Sequence, residues 1–223
     1  MNRIRLLFII LFLSGEVLAL PKIGVQFGFG YYQPDLVGFE SNTLFPKTSF
    51  FTKNALFGYG LSYQFYANTR VGFTHIFSRQ SGKINNAPFV RYLHYRYLAI
   101  QSFYQPRKRL ELNFTLAPMW NKGSITLDTK TNYADWDTLL QSYGNTSIQV
   151  PHTAKMTTHW LGFASFIGLR YYIFSWLAVD GKAGFMNNFY NAKKWKFQGK
   201  QVRGPELKIK KLPLFTVRLV VGW

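Results

Sequence analysis

The sequence predicts an all-β fold, an eight-stranded antiparallel up-and-down transmembrane β-barrel, on three observations. In run after run, large apolar residues recur at every second position while glycine, polar or charged residues fill the places between, which is the period of a strand with two unlike faces. Links between the runs alternate long and short along the chain, placing tight turns at one end of the barrel and loops at the other. Beyond the first segment no uninterrupted apolar run approaches the roughly 20 residues of a helical span. A chain of this kind enters a bilayer as a closed sheet.

Composition agrees. Hydrophobic residues reach 48% while the mean hydropathy is only −0.07, so apolar and polar residues are interleaved at short range. Aromatics make up 19% of the 223 residues. A soluble lipocalin-like barrel would turn those rings inward and overfill a narrow lumen. They are therefore expected to face lipid. Cysteine is absent, which removes disulfides, thiolate metal sites and cysteine nucleophiles.

Met1 to Ala19 reads as a secretory signal, with Arg3 and Arg5 before a short apolar centre, Leu6 to Leu13, and a small-residue cleavage site at Val17-Leu18-Ala19. The alternative, a membrane anchor, meets an apolar centre too short to span. Residues 20–223 then form the outer-membrane β-barrel domain. The formal charge of +18 falls to +17 when Arg3, Arg5 and Glu16 leave. Such an excess ordinarily suggests nucleic acid, but an exported chain does not meet it, and none is expected as a partner.

In the first run Ile23, Val25, Phe27, Phe29 and Tyr31 alternate with Gly24, Gln26, Gly28 and Gly30. Repeated glycine weakens a strand and needs a steric reason, which a crowded lumen supplies. Pro34 to Asn54 is turn-rich and reads as a loop. Phe57 to Phe65 repeats the pattern with Gly58, Gly60, Ser62 and Gln64 inward, and Ala67-Asn68-Thr69 joins it to Val71–Phe77 as an antiparallel neighbour. A polar link, Arg79 to Pro88, precedes a fourth strand within Phe89–Tyr104. Arg91 and Arg96 fall on opposite faces of it. Arg96 is assigned inward, because an arginine on the lipid face at mid-membrane costs about 2–4 kcal/mol. After the tight connection Gln105–Arg109, Leu110–Ala117 alternates with Glu111 and Asn113 inward.

Asn121 to about Thr157 is the longest irregular piece, with a short helix expected at Tyr133–Ser142. Leu161–Tyr172 turns Gly162, Ala164, Gly168 and Arg170 inward; Trp176–Met186 does the same with Asp180, Lys182 and Gly184. Asn187–Lys211 is the last loop. In the terminal strand Phe215, Val217, Leu219, Val221 and Trp223 face lipid, opposite Thr216, Arg218, Val220 and Gly222.

The run Gly28-Phe-Gly-Tyr-Tyr-Gln-Pro34, the strand ending Gly168-Leu-Arg-Tyr-Tyr172 and the aromatic carboxyl end resemble the small outer-membrane barrels typified by the OmpA membrane domain, OmpX and OmpW. The resemblance covers essentially the whole mature chain. It implies a Gram-negative-type outer membrane, a monomer, and insertion by the barrel-assembly machinery, which would read the Phe215, Val217, Leu219, Val221, Trp223 set. Tryptophan stands at position 223, where phenylalanine is usual in such barrels.

Small barrels that resemble lipid A deacylases carry a His-x-Ser pair, a serine nucleophile under general-base help. Here the residues two places after His75, His94, His152 and His159 are Phe77, Arg96, Ala154 and Leu161. No catalytic residue is therefore assigned. The histidines are scattered without a close pair in sequence, so no metal is assigned, and no cofactor either. Glu111, Arg170, Asp180, Lys182 and Arg218 share inward faces, either as a salt-bridge network filling the lumen or as a lining that selects ions. The first makes a plug, and the second a narrow OmpW-like channel for small or apolar solutes. The last loop carries Lys193, Lys194, Lys196, Lys200, Arg203, Lys208, Lys210 and Lys211, interleaved with Trp195 and Phe197, against Glu206 alone. It reads as a solvated face or as a binding surface for anionic glycolipid or an acidic polymer.

Overall fold

The computed structural model describes residues 22–32, 55–84, 87–128, 153–202, 204 and 209–222. Its strands are β1 (Ile23–Tyr32), β2 (Ala55–Tyr66), β3 (Thr69–Ile84), β4 (Ala87–Arg107), β5 (Leu110–Asp128), β6 (Thr153–Phe174), β7 (Leu177–Asn188), β8 (Trp195–Phe197), β9 (Lys200–Val202) and β10 (Lys211–Gly222). Among the described residues β1 to β7 pair antiparallel in chain order, and β10 pairs with both β7 and β1. Eight strands thus close a ring with no exposed edge. The short pair β8 and β9 belongs to the last loop and bonds to the outer part of β6.

Side chains face as a lipid-immersed barrel requires. On β1 and β10, Phe27, Phe29, Phe215, Val217 and Leu219 are exposed, whereas Gly24, Gln26, Gly30, Thr216 and Arg218 are buried. An apolar outer surface around a closed ring is what hydrocarbon stabilises and water does not. Register shifts occur beside the three turns at one end of the barrel, at Gln64/Tyr66, Tyr104/Arg107 and Tyr172/Phe174. These bulges tighten the rim at the turn end.

Two inward glycines answer the steric question that their sequence raises. A Cβ on Gly28 would meet the Val217 carbonyl oxygen, and one on Gly184 the carbonyl oxygen of Ser165 together with the Phe166 ring. Neither carbonyl can move without breaking the ladder. Gly184→Ala is expected to lower barrel stability by about 1–3 kcal/mol, measured as a shift of the urea unfolding midpoint in lipid vesicles.

Four expectations need correction. The link Arg79–Pro88 is mostly strand, since the β3–β4 ladder continues to Ile84 opposite Ala87. Likewise Asn121–Asp128 and Thr153–Thr157 extend β5 and β6. These extensions lie on the loop side, where both faces need not meet unlike media, so alternation fades while hydrogen bonding persists. Arg96 points outward and Arg91 inward: Arg91, Leu93, Tyr95, Tyr97, Gln101 and Phe103 are the buried set among the described side chains of β4. The cost that argued for an inward Arg96 belongs to mid-membrane, whereas Arg96 sits in one rung with Trp120 and Leu161, at the loop-side border of the apolar belt. There an outward cation costs little. The lumen also takes more rings than expected, with Tyr32, Tyr95, Tyr97, Phe166 and Trp160 buried in it. The signal segment, the helix at 133–142, Arg203, Glu206, Lys208 and Trp223 lie outside the described residues.

Candidate functional site

The lumen has two layers. Toward the loop end, Tyr32, Leu56, Leu93, Tyr95, Met119, Trp160 and Trp195 pack as an apolar core, with Tyr95 edge-on to both Tyr32 and Trp160. Toward the turn end the packing gives way to charge. Glu111 on β5 receives Arg70 through both carboxylate oxygens, at 2.6 and 2.7 Å, and the Tyr172 hydroxyl at 2.9 Å. Arg170 donates to Asp180 at 2.8 Å and lies 3.9 Å from Glu111. Lys182 stands 3.7 Å from Asp180 and donates to Thr115. Arg218 donates to Gln26 and to the Tyr97 hydroxyl.

Glu111, Arg170, Asp180, Lys182 and Arg218, the charges read from sequence as one lumen set, are buried here within one layer. Arg70 and Tyr172 join them and were missed. Arg70 shares the parity of Gly72 and Thr74, but it adjoins the Ala67–Thr69 turn, where alternation is too short to read. Arg218 on β10 and Tyr97 on β4 stand four strands apart in the ring of eight, so their bond crosses the lumen. The gap left between Arg70, Arg218, Lys182 and Gln101 is about 10 Å³, room for about one water. Four cations face two carboxylates in this layer, so the lining carries net positive charge.

The last loop is built around Trp195. Sequence placed this ring among the lysines as a binding group; instead it is buried over the barrel mouth, donating to the Tyr190 hydroxyl at 2.8 Å. Asn188 holds the loop's other end, accepting from Trp160 and Asn121 and donating to the Ile209 carbonyl at 2.8 Å. This clamp leaves Lys193, Lys194, Lys196 and Lys200 exposed on the rim, while Lys211 lies over the Phe185 ring. Lys210 adjoins Lys211 at the start of β10.

On the outer wall the β3–β4 register brings together two histidines that sequence left apart. His75 Nε2 and His94 Nδ1 are 3.1 Å apart, with the Tyr59 hydroxyl 3.0 Å from His75 Nδ1. Among the described residues no group of three potential metal ligands forms. Ser78 points inward to Tyr32, away from His75.

No protein-family model matches this chain, and no curated protein does. Solved structures do match. Neisserial surface protein A aligns over 91% of this chain and 97% of its own at 8% identity, with a TM-score of 0.51. Ail, the attachment invasion locus protein of Yersinia pestis, covers 92% and 100% at 10% identity and TM-score 0.45. The N-terminal β-barrel domain of Pseudomonas aeruginosa OprF covers 91% and 98% at 9% identity and TM-score 0.43. The correspondence in fold rests on the Neisserial protein, and the lower scores add nothing to it. With its ring closed, its apolar face outward and its charges inward, the chain has the fold of the small outer-membrane β-barrels.

Proposed function

We propose that this protein is a non-enzymatic outer-membrane barrel with a plugged lumen, acting through its basic loop-end surface on anionic glycolipid or acidic polymers. Export by the segment 1–19, delivery by the barrel-assembly machinery through the last strand, and a monomeric state in outer-membrane lipid belong to the same reading. The observation that carries the plug is the set of hydrogen bonds crossing the charged layer, which leaves space for about one water. The basic surface is supported by four exposed lysines on a loop pinned by Trp195 and Asn188.

A narrow channel is the second reading, favoured by the net positive lining of the same layer. Planar-bilayer recording of the refolded protein separates the two. A plug gives no unitary currents at moderate voltage. Reproducible steps of fixed size, lost when Arg218 is replaced, would replace the first reading with the second.

A further inference from the structure

Two outward rungs run side by side across β3 to β6 near the loop end. One reads His75, Arg96, Trp120, Leu161; the next, one step toward the loops, reads Phe77, His94, Lys122, His159. Beyond Trp120 and Leu161, toward the turn end, the wall is apolar, with Phe114, Leu116 and Ile167 exposed. The border between hydrocarbon and water therefore passes through the first rung, where a tryptophan is expected.

At that border the wall is not smooth. A cavity of about 330 Å³ opens on it, lined by the cations Arg96, Lys122 and Lys194, by the apolar side chains of Trp120, Leu161 and Phe189, and by Asn121, His159 and Trp160. The loop hairpin brings Lys194 there, because β8 pairs with β6 and Thr158 donates to the Lys194 carbonyl. Neither a carboxylate nor another acidic group lines the cavity. Among the described residues none of the three cations forms an ion pair. Like charges held together without a counter-ion disfavour one another, and a bound anion relieves that.

We propose that this cavity seats the phosphorylated headgroup of an outer-leaflet glycolipid. The phosphate takes Arg96, Lys122 and Lys194, and the sugar and first acyl carbons lie against Trp120, Leu161 and Phe189. Both halves are needed to identify the occupant. A free phosphate ion would use the cations and leave three apolar side chains unmatched, while an uncharged lipid would leave the cations unmatched. An acidic polymer in water has nothing to place against a wall that faces hydrocarbon. The inference rests on the outer-membrane reading above and deepens it by giving lipid contact to the barrel wall, with Lys194 the one loop lysine that takes part.

The test uses the full mature barrel refolded in neutral detergent, titrated with diphosphoryl lipid A and read by native mass spectrometry. Arg96→Gln with Lys122→Gln is expected to weaken lipid binding at least tenfold, and dephosphorylated lipid is expected to bind the wild type as weakly. Lys194→Gln, which lies in the loop turn and outside the barrel ladder, is expected to weaken it severalfold even if the double variant does not refold. Heat-dependent mobility on SDS gels checks folding. A loop variant, Lys193→Gln with Lys200→Gln and Lys210→Gln, keeps lipid affinity while losing salt-sensitive binding to a polysulfated polymer. Loss of that polymer binding reports on the loop surface alone, so the two readings fail separately. Unchanged lipid affinity in the wall variants, equal binding of dephosphorylated lipid, or displacement by inorganic phosphate at matched concentration would each overturn the proposal.

Discussion

Glu111→Ala is expected to destabilise the barrel by about 3–5 kcal/mol, the cost of leaving a buried charge without its partner. Glu111 is wholly buried and takes both ends of the Arg70 guanidinium as well as the Tyr172 hydroxyl. Asp180, the other carboxylate in the layer, already serves Arg170 and Lys182. Arg70 therefore loses its counter-charge and Tyr172 its acceptor, in a space too small to admit several compensating waters. Urea unfolding in lipid vesicles, followed by tryptophan fluorescence, measures the loss. Glu111→Leu combined with Arg70→Leu should recover most of it, because replacing a buried pair with apolar groups of similar size is often neutral. A loss below about 1 kcal/mol for the alanine variant would mean that water solvates the layer. That result would also favour a conducting lumen over a plug, so stability and conductance test one structural statement from two sides.

How far the sequence carried depends on where along the barrel one looks. In β1, β2 and β10 the two faces meet hydrocarbon and a crowded lumen, and Gly24, Gly30, Gly58 and Gly60 opposite Phe27, Phe29, Phe57 and Tyr59 state the facing without help from neighbours. On β4 both phases offer one arginine and several rings to the lumen, so facing was not legible there. What decides it is register, which on the β3–β4 side sets Arg96 beside His75 and on the β4–β5 side beside Trp120, and register is a property of pairs of strands. The β3–β4 register also makes the His75–His94 contact across 19 residues of chain. The basic wall pocket was out of reach for a related reason: Arg96, Lys122 and Lys194 lie on β4, β5 and the last loop. The charged layer was more accessible, since inward parity alone collects Glu111, Arg170, Asp180, Lys182 and Arg218, and chain reach then obliges them to meet.

Ile167→Arg should cost about 2–4 kcal/mol in a lipid vesicle, against about 0–1 for Tyr104→Arg. Both side chains are exposed, and in a water-soluble protein both substitutions would fall within roughly ±0.5 kcal/mol. The difference comes from depth. Ile167 sits on β6 about midway between the turn at Phe174 and the Leu161 rung, opposite Phe114 on β5 and Ala183 on β7, where a guanidinium finds neither water nor headgroup. Tyr104 lies beside the β4–β5 turn, from which an arginine reaches the interface. Refolding yield and urea midpoints in vesicles read the pair, and the same measurements in a soluble detergent micelle should shrink the gap, because a micelle deforms around a charge more easily than a bilayer. Equal effects at the two positions would place Ile167 in water, and the outward aromatic surface of β1, β2 and β10 would then have no medium to stabilise it.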